Sequence, residues 1–506
     1  MVCVQRSVEN LGGPVNSRTT KIEPGRRDQQ KEGAAKAHWE SDSLVVLGGR
    51  ESRPHGEAVN EGAKPAKETD AGHAGPEKRL PTSLRGIAKK AQGNKKYRFR
   101  NLYGMLDEGF LLETWKGIKK RAASGVDGVS AREYEQNLER NVAGLVERLR
   151  KKQYRARLVR RRWIPKGEGK LRPLGIPVVE DKLVQAAVAR LLAAIYEEDF
   201  LRCSYGYRPG VGAHDAVDKL TVKLQFGKYG HVVEVDMKNY FGTIDHEWLV
   251  RMLGERVDDR ALIGLIRKWL KAGVLEEDGR VEHPATGSPQ GGVISPILAN
   301  VYLHYVMDLW FHRVVMKRCR GEACLIRYAD DVVCAFERVE EAGWFMEALK
   351  GRVAKFGLEL SPEKTRTMGF LRGAEPGLAR FDFLGFEFSW GRDRQGRPHI
   401  QRRTSRVRLR ASIARLTEWC RDGRRRRLRP LFAELNSKLR GYYQYYGVYG
   451  NYRSLKQFYT ASTKILFKWL NRRSQRRSFT WVGFSEALKA YEVPTPSCRK
   501  RILQTS

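Results

Sequence analysis

Apolar, β-favouring residues fill the stretch LIRYADDVVCAF, residues 325–336, on both sides of a tight turn at Tyr328-Ala329-Asp330-Asp331. Such a run into and out of a turn predicts a β-hairpin, here with two adjacent carboxylates at its tip. Upstream, HVVEVD predicts a strand over 232–235 that ends in Asp236. Alternation sets Val233 and Val235 on one face and Glu234 and Asp236 on the other. The aromatic pair Tyr240 and Phe241 then opens a helix. Leu106, Phe110, Leu111 and Trp115 recur at helical spacing within 103–123, and 134–149 and 182–195 predict two further helices. Residues 405–481 predict about three more. There Leu431, Leu435 and Leu439 form an i, i+4 stripe, continued by Tyr442, Tyr443 and Tyr446, that marks a packed core.

The first 80 residues differ from the rest. They are rich in Gly, Lys, Glu, Arg and Ala, with Trp39 and the run Leu44-Val45-Val46-Leu47 as exceptions. Such a segment cannot bury enough apolar surface to offset its ordering entropy, so 1–80 is expected to be disordered. The net charge is +37 over 506 residues, and much of that excess falls after residue 390. A charge of that size and sign points to a polyanionic partner, with counterion release supplying much of the affinity. The seven cysteines form no CxxC pair and have no histidine partner at zinc-finger spacing. Buried free thiols in a reducing compartment are the simplest expectation. There is no apolar run long enough to span a membrane and no apolar signal core at the N-terminus.

The carboxylates suggest the chemistry. Acids at the ends of two strands are costly together unless a cation neutralises them, and Mg²⁺ is the usual one. Asp236 and Asp330 are far apart in the chain, so only a folded sheet brings them together. Two Mg²⁺ about 3.5–4 Å apart can activate an attacking hydroxyl and stabilise a leaving pyrophosphate. Phosphoryl transfer asks the protein mainly to position groups and neutralise charge, so no Ser/His/Asp arrangement is needed.

These residues lie in blocks that resemble the reverse transcriptases encoded by group II introns, which also act as maturases. HVVEVDMKNYFGTIDH is similar to polymerase motif A, GSPQGGVISPILANVYLHYVMD to motif B, RYADDVVC to motif C, LELSPEKTR to motif D and FDFLGFEF to motif E. WKGIKKRAASGVDGVS, RRWIPKGEGKLRPLGIPVVEDKLVQAAV and SYGYRPGVGAHDAV resemble the N-terminal extension and fingers blocks. The blocks keep the family's order over roughly 100–390. One departure is Gly242, where the family commonly has Asp after the aromatic of motif A. The resemblance implies an α+β right-hand polymerase with fingers, palm and thumb. Its palm would be an antiparallel sheet covered on one face by helices. The implied divisions are an extension (1–80), the N-terminal motif and fingers (81–228), the palm (229–390) and a helical thumb with the maturase domain X (391–506).

Residue by residue, the resemblance makes Asp236, Asp330 and Asp331 catalytic, and puts them with Met237 in the set that holds two Mg²⁺ or Mn²⁺. Lys166, Arg172, Tyr240, Phe241, Gln290, Gly291 and Lys364 would meet the incoming nucleotide. Arg172 suits phosphate oxygens through its forked donors. Phe241 would stack under the deoxyribose and clash with a 2′-hydroxyl. Lys364 would protonate pyrophosphate or remain a solvated lysine. Arg160, Arg161 and Arg162 would touch template or nucleotide phosphates, or line a solvated strand edge. Arg424, Arg425, Arg426 and Arg427, with Arg472, Arg473, Arg476 and Arg477, would hold intron RNA.

The implied partners are intron RNA, an RNA template with DNA primer, dNTPs and a DNA target, with no membrane and a homodimer among the assemblies open to it. The implied location is the bacterial cytoplasm, near the nucleoid. Only about 25 residues follow Trp481 and Cys498 stands alone, so no HNH endonuclease is expected, and a nascent strand at replication would serve as primer. Two other readings stay open: a CRISPR-associated or domesticated reverse transcriptase of the same lineage, and an RNA-binding splicing factor with an inactive polymerase. The domain X resemblance weighs against the first. The intact Asp236, Asp330, Asp331, Phe241 and Gln290 weigh against the second.

Overall fold

The computed structural model describes residues 82–498, except 168, 169, 289, 290, 374, 376 and 377. Gln290, the Lys166 side chain and the whole extension 1–80 therefore lie outside the described residues. The fold is mixed α/β, and the strands among these residues form three sheets.

The first sheet has the order β2-β1-β4-β5. It is built on a long hairpin, β1 (Val159–Gly167) and β2 (Lys170–Ile176), whose register runs from Arg160↔Ile176 to Gly167↔Lys170. Two short strands, β4 (Val274–Leu275) and β5 (Val281–Glu282), extend it, β4 pairing in parallel with β1. The central sheet has the order β6-β7-β3-β8 and is antiparallel throughout. Its strands are β3 (His231–Val235), β6 (Ala323–Tyr328), β7 (Asp331–Phe336) and β8 (Arg366–Gly369). The third sheet is the antiparallel meander β9 (Arg380–Phe383), β10 (Phe386–Arg392) and β11 (Pro398–Thr404).

The hairpin expected around the paired acids is present, with Tyr328 opposite Asp331 and a two-residue turn between them. Helices are expected on one face of this sheet, and the structure corrects this by placing helices on both. Val233 and Val235 do join a core with the helices Val179–Tyr196 and Val339–Lys355. Val232, however, is also fully buried, on the opposite face. There it packs with Leu220 of the helix Ala213–Phe226 and with Phe370, Phe381 and Phe388. An interior strand with neighbours on both sides can bury both faces, and valine suits that place.

The N-terminal helices follow the periodic pattern, with boundaries set by caps. Asp107 accepts from the Phe110 N–H and starts Glu108–Trp115. Ser130 and Glu133 form a capping box that starts a separate short helix, Ala131–Glu135, ahead of Leu138–Arg150. At the C-terminal end, Arg406–Gly423, Leu428–Tyr446 and Tyr452–Leu470 are joined by a fourth helix, Trp481–Ala490. Leu431, Leu435, Leu439 and Tyr442 lie in their shared core, and Tyr442 stacks on Phe458 with ring centroids 3.7 Å apart. Among the described residues no helix is long and apolar enough to cross a membrane.

Candidate active site

Pairing between β3 and β7 sets Val235 against Val332. One step further along both strands brings Asp236 and Asp331 to facing positions at the sheet's end. Both border an open cavity of about 320 Å³ that also contains Glu363, Lys364 and Asp382. Lys364 Nζ lies 3.3 Å from Asp236 Oδ2. The Asp236 backbone is pinned from the same loop: its carbonyl accepts from the Ser361 N–H at 2.8 Å and from the Thr365 hydroxyl at 3.2 Å. Asp331 opens into the cavity but is crowded by protein on its other sides. That crowding first, and then the charges of Asp330 and Asp236, push its carboxyl up to about 7, against the opposing pull of Arg408 and Lys364. Among the described residues no group of three or more His, Cys, Asp or Glu side chains is already drawn together around one point.

The turn carrying Asp330 is strained and braced. Ala329 has φ +56°, a left-handed conformation uncommon for alanine. Arg327 supplies the brace, with its side chain fully buried. It donates to Asp308 Oδ1 and Oδ2 at 2.8 and 2.6 Å, to Asn300 Oδ1 and the Ala329 carbonyl at 3.0 Å each, and to Ser204 Oγ at 2.7 Å. Asp308 ends a π-helical turn, His304–Asp308, that continues the helix Ser295–Leu303. On the other side, residues 203–206 run parallel to β6, with the Arg327 N–H on the Cys203 carbonyl and the Tyr205 N–H on the Arg327 carbonyl. A Cβ on Gly206 would lie 2.2 Å from the Ala329 nitrogen, so only glycine fits there. The sequence reading missed Arg327. Its one signal was an arginine inside an otherwise apolar strand.

Motif A continues through Asn239, whose left-handed backbone (φ +47°) starts the one-turn helix Tyr240–Thr243. This separates two residues expected to act together. Phe241 stays partly open, whereas Tyr240 is 2 % exposed and donates to the Ala299 carbonyl at 2.6 Å. Tyr240 is therefore corrected from a nucleotide contact to a core residue that supports Phe241, their centroids 5.4 Å apart. Gly242, the departure from the family pattern, packs against Gly287, and a Cβ on it would strike the Asn239 side chain. Gly291 has φ +109°, and a Cβ there would lie 2.5 Å from the Gly175 carbonyl, so the motif B loop rests directly on β2. The Met237 side chain is buried, which leaves only its main-chain carbonyl able to face a cation.

The arginines divide by environment. Arg172 is exposed on β2, opposite Ile164. Arg161 is mostly buried against Glu276 at 2.8 Å, and Arg162 pairs with Glu277 at 3.1 Å in the open. Arg160 is half-buried, and its Nε has no hydrogen-bond partner. The two C-terminal clusters, distant in sequence, meet in space. Arg473 donates to the carbonyls of both Arg424 and Arg426, and Arg424 and Arg472 both lie over the Trp469 ring. Arg426 pairs with Glu434 at 2.8 Å, and Arg477 lies over Phe467. Arg425, Arg427 and Arg476 are exposed. Arg473 is thus occupied as a loop clamp.

Comparison with known proteins adds to this geometry. Residues 164–388 match the family described as reverse transcriptase (RNA-dependent DNA polymerase). Protein YkfC of Escherichia coli (strain K12) is 32 % identical over 325 residues, covering 58 % of this chain and 83 % of YkfC. Group II intron-encoded protein LtrA of Lactococcus lactis subsp. cremoris is 28 % identical over 462 residues, covering 74 % of this chain and 75 % of LtrA. Nuclear intron maturase 4, mitochondrial, of Arabidopsis thaliana is 27 % identical over 144 residues, 28 % of this chain and 18 % of the maturase.

Proposed function

The chain belongs to the reverse transcriptases and maturases of group II introns, and from that premise we propose how its site copies RNA into DNA. The observation that carries the proposal is the facing pair Asp236 and Asp331 beside the braced Asp330 turn. Their donors are all oxygen, which suits Mg²⁺, and Asp236 and Asp331 line one open cavity where their like charges would be offset by a cation. Asp236, Asp330, Asp331 and the Met237 carbonyl would hold two Mg²⁺, which when bound supply activation of the primer 3′-hydroxyl and neutralise charge on the leaving pyrophosphate.

The chain's own residues do the rest. Lys364, 3.3 Å from Asp236 Oδ2, stands at the same cavity and would offer its ammonium proton to the leaving pyrophosphate. Arg172 offers its fork to the triphosphate. Phe241 lies under the sugar and excludes a 2′-hydroxyl. In this reading β1 and β2 belong to the fingers, the central sheet is the palm and the helices from Arg406 onward form the thumb and domain X. Exposed arginines of those helices grip intron RNA during splicing, and the same protein then carries the intron into a DNA target.

Asp236→Asn and Asp330→Asn test the assignment. Each is expected to abolish cDNA synthesis on a primed RNA template while RNA affinity stays near wild type, because the basic surface is untouched. Extension at the wild-type rate by either variant refutes it.

A further inference from the structure

The segment SYGYRPG, residues 204–210, carries no role in the chemistry above, yet the fold brings it to the centre of the site. Its path is fixed at several points. Residues 203–206 pair with β6, the Gly206 carbonyl accepts from Asn300 Nδ2 at 2.7 Å, and Gly206 packs against Ala329. Just beyond, Arg208 is tied back to Glu197 at 2.8 Å and to the Ser204 carbonyl at 2.8 Å. Between these anchors Tyr207 takes φ +60°, a left-handed backbone that a bulky residue rarely adopts. The result of that turn is specific. The Tyr207 ring meets the Phe241 ring edge to face, centroids 6.2 Å apart at 75°. Asp330 and Arg172 are near enough to act on its phenol, which burial holds well above its ordinary range and uncharged.

We propose that Tyr207 is a specificity-determining positioning residue that buttresses the Phe241 ring and thereby sets how strictly the site rejects a ribonucleotide. This rests on the reading of Phe241 as the sugar gate. Phe241 sits on a single helical turn that begins at a left-handed Asn239. Tyr240 supports its ring from the core side. A ring held on one side only can tilt away from a 2′-hydroxyl. A second ring at right angles removes that freedom, and edge-to-face geometry is the arrangement aromatic pairs prefer. The left-handed backbone at Tyr207 is then the strain that aims this side chain.

The test is single-nucleotide extension by the full chain on a primed RNA template, comparing a dNTP with its matching rNTP. Phe241→Val, Tyr207→Ala, Tyr207→Phe and the Tyr207→Ala/Phe241→Val double variant are measured alongside wild type. Tyr207→Ala is expected to raise relative rNTP use about 2- to 10-fold, the range an aromatic contact of this kind carries, with dNTP addition near wild type. Tyr207→Phe keeps the ring and is expected to keep wild-type discrimination. The double variant is expected to be no more permissive than Phe241→Val, because the two rings act as one unit. If Tyr207→Ala does not fold, Tyr207→Leu, which keeps apolar bulk without a flat edge, carries the same expectation.

Unchanged discrimination in Tyr207→Ala beside a permissive Phe241→Val overturns the buttress and leaves the gate standing. Unchanged discrimination in Phe241→Val overturns both. Additive effects in the double variant, or a loss of dNTP affinity in Tyr207→Phe, show that Tyr207 acts on the nucleotide directly and overturn the proposal.

Discussion

The Arg327 guanidinium and the Asp308 carboxylate share two hydrogen bonds, Nε to Oδ1 at 2.8 Å and Nη2 to Oδ2 at 2.6 Å, and neither side chain is exposed to water. The same guanidinium holds the Ala329 carbonyl, one residue before Asp330. The turn that carries Asp330 is thereby tied to the motif B helix through a buried charge pair.

Such a pair is costly to break from one side, because the remaining charge stays buried. Arg327→Met is expected to lose about 3–5 kcal/mol of stability, and Asp308→Leu a similar amount. The Arg327→Met/Asp308→Leu double variant is expected to lose less than either single variant. Denaturant unfolding of the full chain measures all three. A stable Arg327→Met protein would remove the brace from the account of the turn.

His304 lies in the same π-helical turn and sets a pH dependence. It is buried, its ring packs edge to face on Phe200 at 5.5 Å, and its Nδ1 has no hydrogen-bond partner. Burial lowers its pKa to about 4, with Asp308 opposing and Arg327 adding to the effect. The unfolded chain takes up a proton near pH 6.5 while the folded chain does so only near 4. The stability it contributes is therefore full above about pH 6.5 and falls as pH drops toward about 4, by up to about 3 kcal/mol. Unfolding of wild type and His304→Phe across that window is expected to show a shallower acid slope in the variant. Parallel slopes would assign the acid loss to other groups.

The C-terminal arginines separate into two groups with different expected effects. Arg425, Arg427 and Arg476 are exposed, whereas Arg473 clamps the carbonyls of Arg424 and Arg426. Replacing the first three by Ala is expected to weaken intron-RNA binding and make its log–log salt dependence shallower, by about 0.7–0.9 per lost phosphate contact, with little change in the unfolding transition. Arg473→Ala is expected to lower the stability of the helical region as well. Protein-assisted splicing should fall more than single-nucleotide addition at matched salt. An equal fall in both would make these arginines general nucleic-acid contacts.

Much of this site was legible in the chain because short-range rules govern it. An apolar run, a tight turn and a second apolar run make a hairpin wherever they occur, so the acids at 330 and 331 had to sit at its tip. Strand alternation, likewise local, delivered Asp236 to the end of β3. The motif blocks carried the family. By itself the sequence determined the three carboxylates, the basic excess and the order of the elements.

What it left open depends on contacts between segments far apart in the chain. Tyr240 and Phe241 are neighbours of similar chemistry, and only the left-handed turn at Asn239 decides which ring is buried and which stays partly open. Val232 shares by alternation the face of Glu234 and Asp236, and only the packing of a helix and a second sheet buries it there. Arg327 reads as one more basic residue until Ser204, the helix carrying Asn300 and Asp308, and the Ala329 carbonyl of its own turn direct their acceptors toward it. Arg473 reads as a phosphate ligand until two carbonyls from another loop claim its donors. In each case the side chain's role is set by which hydrogen-bond partners and apolar surfaces are brought to it, and that assembly exists only once the sheets and helices have packed.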